Sequence, residues 1–464
     1  MSKSQELRWT MFIITAIGNF IAMLDSTTVN LALYPMSVDL GVNLSQIQWV
    51  MVGYMLILTV FLPFFGKLGD IFPKNKLYSV GFFIFAIGAL FSFLSPNFWL
   101  LLFSRFIEAT GASIMLSNAQ ALIATIFKDK NRGKALGLNG CLIAIGGMSG
   151  PAIGGLLINN FGWHSVFLPC IPFAVLGAYF AWKLLPSHTN KTENLKFDYK
   201  GFIYFTLSLV ALLLAISQGY QWGWTSFRII VLGIMALSFG SLFYVRERGI
   251  NYPMIDFSIF RIKTFTFGNI AVMFSYMAMF TNSVLLPFYL MEILRYDAFT
   301  AGLLILPYSV TLSVVAPVSG NYAGKHGGRF LTLAGPIVFM TALAIFSTFD
   351  MSTKIWQIVV GSGIMGIGNG LFQSPSNNAI MTSVKESSFG IASGILALSR
   401  NMGHILGVAV TISLFEAIKH MSLLNYTNEY STAFLNAYHT TMGFGIFFGL
   451  ICLTFAYFAY KPSK

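Results

Sequence analysis

Trp9-Thr-Met-Phe-Ile-Ile-Thr-Ala-Ile-Gly-Asn-Phe-Ile-Ala-Met-Leu24-Asp25-Ser-Thr27-Thr-Val-Asn30-Leu-Ala-Leu-Tyr34 is an apolar run with one carboxylate inside it. A membrane-crossing helix needs about 20 consecutive, mostly apolar residues, and this stretch supplies them. A charge at that depth is costly unless it is used or neutralised. Asp25 is therefore the first candidate functional residue: an acid placed where it can carry a proton or hold a cation away from water.

The rest of the chain repeats the apolar pattern. Of its 464 residues 56% are hydrophobic and only 9% charged, and the mean hydropathy is +0.72, which describes an integral membrane protein rather than a water-soluble one. Spans are expected near 10–34, 46–66, 77–96, 99–122, 134–158, 165–185, 199–218, 228–246, 264–290, 298–320, 329–349, 355–378, 388–417 and 436–460. That is fourteen helices in an all-α membrane protein. No small-residue cleavage pattern follows the first, so it reads as a retained span.

Basic residues collect in loops on the cytoplasmic side of a membrane. Lys67, Lys74 and Lys76 follow the second span, and Lys128, Lys130, Arg132 and Lys134 the fourth. Lys183, Lys191, Lys196 and Lys200 surround the loop after the sixth, Arg246, Arg248, Arg261 and Lys263 follow the eighth, Lys325 and Arg329 the tenth, and Lys385 the twelfth. The other side carries only Arg228, Arg295, Lys354 and Lys419. Both termini are then expected in the cytoplasm, and the net charge of +12 reflects topology and attraction to anionic lipid rather than nucleic acid.

A glycine-rich basic turn occurs twice, as Gly66-Lys-Leu-Gly-Asp70-Ile-Phe-Pro-Lys74-Asn-Lys76 and, more weakly, as Gly320-Asn-Tyr-Ala-Gly-Lys-His-Gly-Gly-Arg329. Transporters are often built from such repeats. The echo implies six-helix bundles over 1–190 and 264–464, with two inserted helices over 191–263: a 6 + 2 + 6 layout.

Together these segments resemble the fourteen-span drug:proton antiporter family of the major facilitator superfamily. Leu24-Asp25-Ser-Thr27-Thr-Val-Asn30-Leu-Ala-Leu-Tyr34-Pro35 is similar to its first-helix motif, with Tyr34 as a departure. Gly66 to Lys76 resembles the superfamily's loop motif, except at Ile71 and Pro73. Leu102-Phe-Ser-Arg105-Phe-Ile-Glu108-Ala-Thr-Gly111 is similar to the fourth-helix motif, with Glu108 where Gln is usual. Gly146-Gly-Met-Ser-Gly150-Pro151-Ala-Ile-Gly154-Gly155 resembles the fifth-helix antiporter motif. Phe197 to Gly201, Pro253 to Asp256 with Phe260-Arg261, Ala301-Gly302 with Leu306-Pro307, and Gly390 to Gly407 are similar to further segments. The resemblance implies a bacterial plasma-membrane exporter, proton-coupled, acting on amphipathic and cationic drugs and working as a monomer without cofactor.

Each motif also has a physical reading of its own. Gly146, Gly150 and Gly154 share one helix face, where small residues allow close packing and Pro151 removes a backbone hydrogen bond. That is ordinary tight packing or, by resemblance, a flexible seam between the two halves during alternating access. Asp70 can cap the next helix or pair with a base such as Arg132, so that Gly66, Asp70, Lys74 and Arg132 would form a gating latch. Arg105 and Glu108, at i and i+3, can neutralise each other. Alternatively, Arg105 lines a cavity and ties proton release to conformation, with Glu108 as a second protonatable site. Asp25 is either a satisfied polar contact or the carboxylate that makes proton and substrate mutually exclusive.

For substrate, aromatic faces attract cations and Met adapts its shape. Most of the 46 Phe, 19 Tyr and 21 Met are expected to face lipid or to pack the bundle. Tyr276, Phe280, Asn282, Tyr308, Asn369, Gln373, Asn377 and the buried cation Arg400 are taken as one candidate pocket group, with Asn30 on the first span. Cys141, Cys170 and Cys452 read as packing residues, and His164, His188, His326, His404, His420 and His439 lack metal-ligand spacing, so no disulfide and no metal are expected. There is no G-x-x-x-x-G-K-[ST] run to hold ATP. A hydrolase or a channel is disfavoured. The rival is a narrow exporter of one metabolite or lipid, or a tetracycline-type antiporter, on the same scaffold.

Overall fold

The computed structural model describes residues 3–127, 132–186, 198–250, 257–384, 389–425 and 429–460. Among them it is all helical. The long helices are α1 (Lys3–Asp39), α2 (Trp49–Ile71), α3 (Lys74–Phe93), α4 (Phe98–Ile126), α5 (Arg132–Phe161), α6 (Cys170–Leu184), α7 (Tyr199–Trp222) and α8 (Phe227–Gly249). They continue as α9 (Lys263–Phe288), α10 (Ala298–His326), α11 (Arg329–Phe346), α12 (Ile355–Thr382), α13 (Phe389–Asn425) and α14 (Tyr430–Ala459). Thirteen segments among the described residues combine the length and apolarity to cross a bilayer. The remaining expected span coincides with α5, a 30-residue helix.

Helix ends differ from hydropathy boundaries for local reasons. A one-turn helix, Leu44–Ile47, precedes α2 and starts at a capping box: the Asn43 side chain accepts from Gln46 N (2.9 Å) and the Gln46 side chain accepts from Asn43 N (3.2 Å). Asn97 caps α4 by accepting from Leu100 N. The expected sixth span is not one helix. Gly162, at φ +78°, turns the chain out of α5, a 3-10 turn covers Trp163–Phe167, and Pro169 stands immediately before the short α6.

The chain forms two compact units, Met1–Phe197 with Asp297–Gly302, and Asp198–Tyr296 with Leu303–Lys464. In the first, Phe12, Tyr78, Phe82, Phe85 and Phe127 fill the core, and Tyr78 donates a hydrogen bond to the Thr15 carbonyl (2.7 Å). The antiparallel helices α3 and α4 approach until backbones touch. A Cβ on Gly88 would lie 2.6 Å from Glu108 Cα, and one on Gly111 2.7 Å from Phe85 Cα. Where the glycines end, the seam turns polar: Ser92 and Ser104 share a hydrogen bond of 2.8 Å.

In the second unit, α7 and α8 pair with each other, and Ser413 of α13 donates to the Ile216 carbonyl of α7. At the basic end of this pair Arg246 grips Asp198, Nε at 2.8 and 2.9 Å from the two carboxylate oxygens and Nη2 at 2.7 Å from one. Burial pushes the Asp198 carboxyl up, but the Arg246 hydrogen bonds outweigh it and hold the group below the usual carboxylate range. A folded value below the unfolded one, near 3.9, stabilises above that pH and is lost as pH falls through the folded value. Because Arg246 is 35% exposed, solvent screens the pair and its contribution to stability is small. Asp198→Asn should lower the apparent melting temperature slightly at neutral pH, and acidification should close the gap. A gap that persists unchanged in acid would assign the loss to packing.

Candidate functional site

Asp25, Arg105 and Glu108 meet in the interior of the first unit. α1 contributes Asp25, and α4 contributes the other two from adjacent turns; all three are at most 1% exposed. One guanidinium nitrogen, Nη1 of Arg105, donates to Asp25 Oδ2 at 2.8 Å and to Glu108 Oε2 at 2.7 Å. The cation rests on the Tyr54 ring, 4.2 Å from its centroid, with Phe167 at 5.6 Å on another side. Such a group pairs tightly because it has no water to turn to.

The pairing is incomplete in a specific way. Asp25 Oδ1, Glu108 Oε1, Arg105 Nε and the Tyr54 hydroxyl are buried without a hydrogen-bond partner among the described residues. Three ionisable groups include two acids and one base, so the cluster carries one net negative charge with both acids ionised and none with one proton bound. It can take a proton and still keep a salt bridge. Ser92 donates to Glu108 Oε2 at 3.4 Å, so that acid also has a hydroxyl neighbour from α3.

The glycines of α5 position α1 around this cluster. A Cβ on Gly146 would lie 2.7 Å from the Phe20 carbonyl, one on Gly154 3.2 Å from Thr28 Cα, and one on Gly150 would collide with the Thr27 side chain. They bracket Asp25 within one unit. Pro151 lies inside α5, and Gly155 turns instead toward Ala298 and Phe299. Asn30 is half-buried one turn beyond Asp25 on α1.

Of the latch group, Gly66 ends near Ser117, 3.8 Å from where its Cβ would be, and Asn118 Nδ2 ties α4 to the Phe65 carbonyl of α2 at 3.1 Å. Lys74 opens α3. The side chains of Asp70 and Arg132 lie outside the described residues, as does Cys141.

The rest of the pocket group belongs to the second unit. Phe280 stacks on His404 with centroids 3.5 Å apart and planes at 14°, and Tyr276 lies next in the row, 6.4 Å from Phe280. The Tyr308 hydroxyl meets Met279 Sδ at 2.9 Å, and Gln373 Nε2 reaches the same sulfur at 4.0 Å. Asn282 Oδ1 and His404 Nε2 are buried without a hydrogen-bond partner among the described residues, and Asn369 is fully buried. Asn377 and Arg400 are half-buried, and Arg400 forms no ion pair with a described acid.

Sequence reasoning missed Tyr54, Phe167, Ser92 and Ser104, and named His404 only among the histidines without metal-ligand spacing. Nothing in their local pattern separates them from neighbours; the register of α3 on α4, set by Gly88 and Gly111, is the one signal that brings the serines to Glu108.

Residues 15–266 and 268–464 match the family model described as Major Facilitator Superfamily. The chain is 34% identical over 460 residues to riboflavin transporter RibZ of Clostridioides difficile (strain 630), covering 98% of this chain and 99% of the relative. It is 30% identical to multidrug resistance protein Stp of Mycobacterium tuberculosis (strain CDC 1551 / Oshkosh), over 90% of this chain and 77% of that one. The crystal structure of a bacterial homolog to the human lysosomal transporter Spinster, inward-facing and unoccupied, superposes with a TM-score of 0.74 and covers 100% of both chains at 14% identity, which shows the fold.

Proposed function

Because the chain belongs to the Major Facilitator Superfamily, and is a multi-pass membrane transporter of small molecules rather than an enzyme, we propose that it is a proton-coupled exporter of amphipathic aromatic molecules, cationic drugs foremost. The observation that carries the reading is the two-acid, one-base cluster of Asp25, Arg105 and Glu108. Deprotonated, it attracts a cation; protonated, it is neutral and releases one. A proton entering down its gradient thereby exchanges for substrate leaving. The basic loops support cytoplasmic termini, and the bacterial relatives support a bacterial plasma membrane as its location.

The relative named as a riboflavin transporter, similar along its whole length, favours a second reading in which the cargo is a neutral planar heterocycle. The Tyr276–Phe280–His404 row, with the buried Asn282 on the same helix as its two aromatic members, suits such a ring.

Everted vesicles energised with a pH gradient test both. Ethidium and riboflavin are offered separately to wild type, Asp25→Asn and Glu108→Gln, with and without a protonophore. Protonophore-sensitive ethidium accumulation lost in Asp25→Asn is the expected result; riboflavin accumulation alone selects the second cargo. Gradient-driven transport that survives in both variants, correctly inserted, removes the cluster from the mechanism.

A further inference from the structure

α6 packs on α3 with its small residues inward. Cys170, Ala174, Gly177 and Ala181 recur at helical spacing and are buried, and a Cβ on Gly177 would lie 2.6 Å from the Phe82 ring. Large side chains stand on the outer flanks, with Phe83 60%, Tyr179 51% and Trp182 64% exposed. Between them the α3–α6 seam forms a groove of about 260 Å³, lined by Ser79, Val80, Phe83, Ala178, Tyr179 and Trp182. Its one interhelical polar group is already used, because the Ser79 hydroxyl donates to the Ala178 carbonyl across the seam (2.7 Å). An acyl chain laid there would leave no polar group stripped of its partner.

One end of the groove is charged. α3 leaves the basic side of the membrane at Lys74 and α6 returns toward that side at Leu184, so the two run antiparallel and their basic ends coincide. Lys76, Val80 and Phe83 stand at i, i+4 and i+7, on one face of α3. On α6, Lys183 follows Tyr179 by four positions, its ammonium 3.4 Å from the Tyr179 hydroxyl and 5.6 Å from the ring centroid. That hydroxyl accepts from Lys183 and keeps its own proton to donate to an anion. Both lysines are exposed, and neither pairs with a described acid. Trp and Tyr beside basic residues mark the level of lipid headgroups, and basic sites between membrane helices suit anionic ones.

We propose that the α3–α6 groove binds an anionic phospholipid of the phosphatidylglycerol class, an acyl chain lying between Phe83 and Trp182 and the phosphate held by Lys76, Lys183 and the Tyr179 hydroxyl. A zwitterionic lipid fits the same groove but brings an ammonium toward the two lysines, and a cationic amphiphile is repelled by them. The leaflet is the cytoplasmic one, on the reading that the basic loops face inward. The site involves none of Asp25, Arg105 and Glu108, and it does not rest on proton coupling.

Purified protein is reconstituted in phosphatidylcholine bilayers carrying acyl-brominated phosphatidylglycerol or acyl-brominated phosphatidylcholine at matched mole fractions. Bromine quenches nearby indoles, and the Trp182 component is the signal lost in Trp182→Phe. Near a membrane surface each lysine raises affinity for an anionic lipid about fivefold, so half-maximal quenching of Trp182 should need about 25-fold less phosphatidylglycerol than phosphatidylcholine. Lys76→Gln/Lys183→Gln should bring the two lipids together while leaving the phosphatidylcholine curve in place, which shows the groove intact. Lys76→Arg/Lys183→Arg should keep the preference. Equal quenching by both lipids in wild type overturns the proposal, as does a preference that survives in the double glutamine variant and so belongs to another surface. Quenching of Trp182 by neither lipid also overturns it, because something other than lipid then fills the groove.

Discussion

Arg105→Gln is expected to be the most damaging single replacement in the first unit, lowering stability by about 3–5 kcal/mol, the range for removing one member of a buried ion pair. The guanidinium supplies hydrogen bonds to both Asp25 and Glu108 through one nitrogen. Glutamine is too short to bridge them and brings no charge, so two acids are left in a dry interior against the Tyr54 ring. The apparent melting temperature in detergent should fall sharply, and gradient-driven transport should vanish. The triple variant Asp25→Asn/Arg105→Gln/Glu108→Gln removes the unpaired charges along with the cation and should recover much of the stability, though none of the proton coupling. Strong non-additivity of this kind marks residues acting as one group. If Arg105→Gln melts with wild type, the two acids do not depend on the guanidinium for their burial.

Gly88→Val is expected to come next, at about 3 kcal/mol or more for an overpacked core position. The obstruction is backbone: the new Cβ would lie 2.6 Å from Glu108 Cα and Cβ alike, and a helix axis cannot rotate aside as a side chain can. α3 would have to move off α4, taking Ser92 from Glu108. Gly147→Ala, where nothing lies within 4 Å of the added atom, is the matched control and should be near neutral. The same melting measurement reads both. Equal melting temperatures for Gly88→Val and Gly147→Ala would mean that α3 and α4 can part at little cost.

The spans were legible because a bilayer forces long apolar helices, and each expected segment except the sixth falls on one. Their ends were less so. α1 starts at Lys3 rather than near residue 10, since a helix continuing beyond the hydrocarbon no longer needs apolar residues. The sixth span divides at Pro169, a backbone effect that hydropathy averages away. Arg105 and Glu108 were visible as neighbours, because three positions on a helix bring side chains together. Asp25, eighty positions earlier, was visible only as a misplaced charge, and its partner is a product of the fold. Tyr54 could not be singled out among nineteen tyrosines, since what distinguishes it is the guanidinium lying over its ring.

Two acids sharing one base also decide how the cycle responds to voltage. If one proton exchanges for one monovalent cation, no net charge crosses the membrane, and the electrical potential does no work on the turnover. Only the difference in pH drives it. A neutral cargo leaves the proton's charge uncompensated, and each 100 mV then contributes about 2.3 kcal/mol per turnover. A potassium–valinomycin clamp on liposomes would therefore sort the cargo by charge class from the voltage response alone.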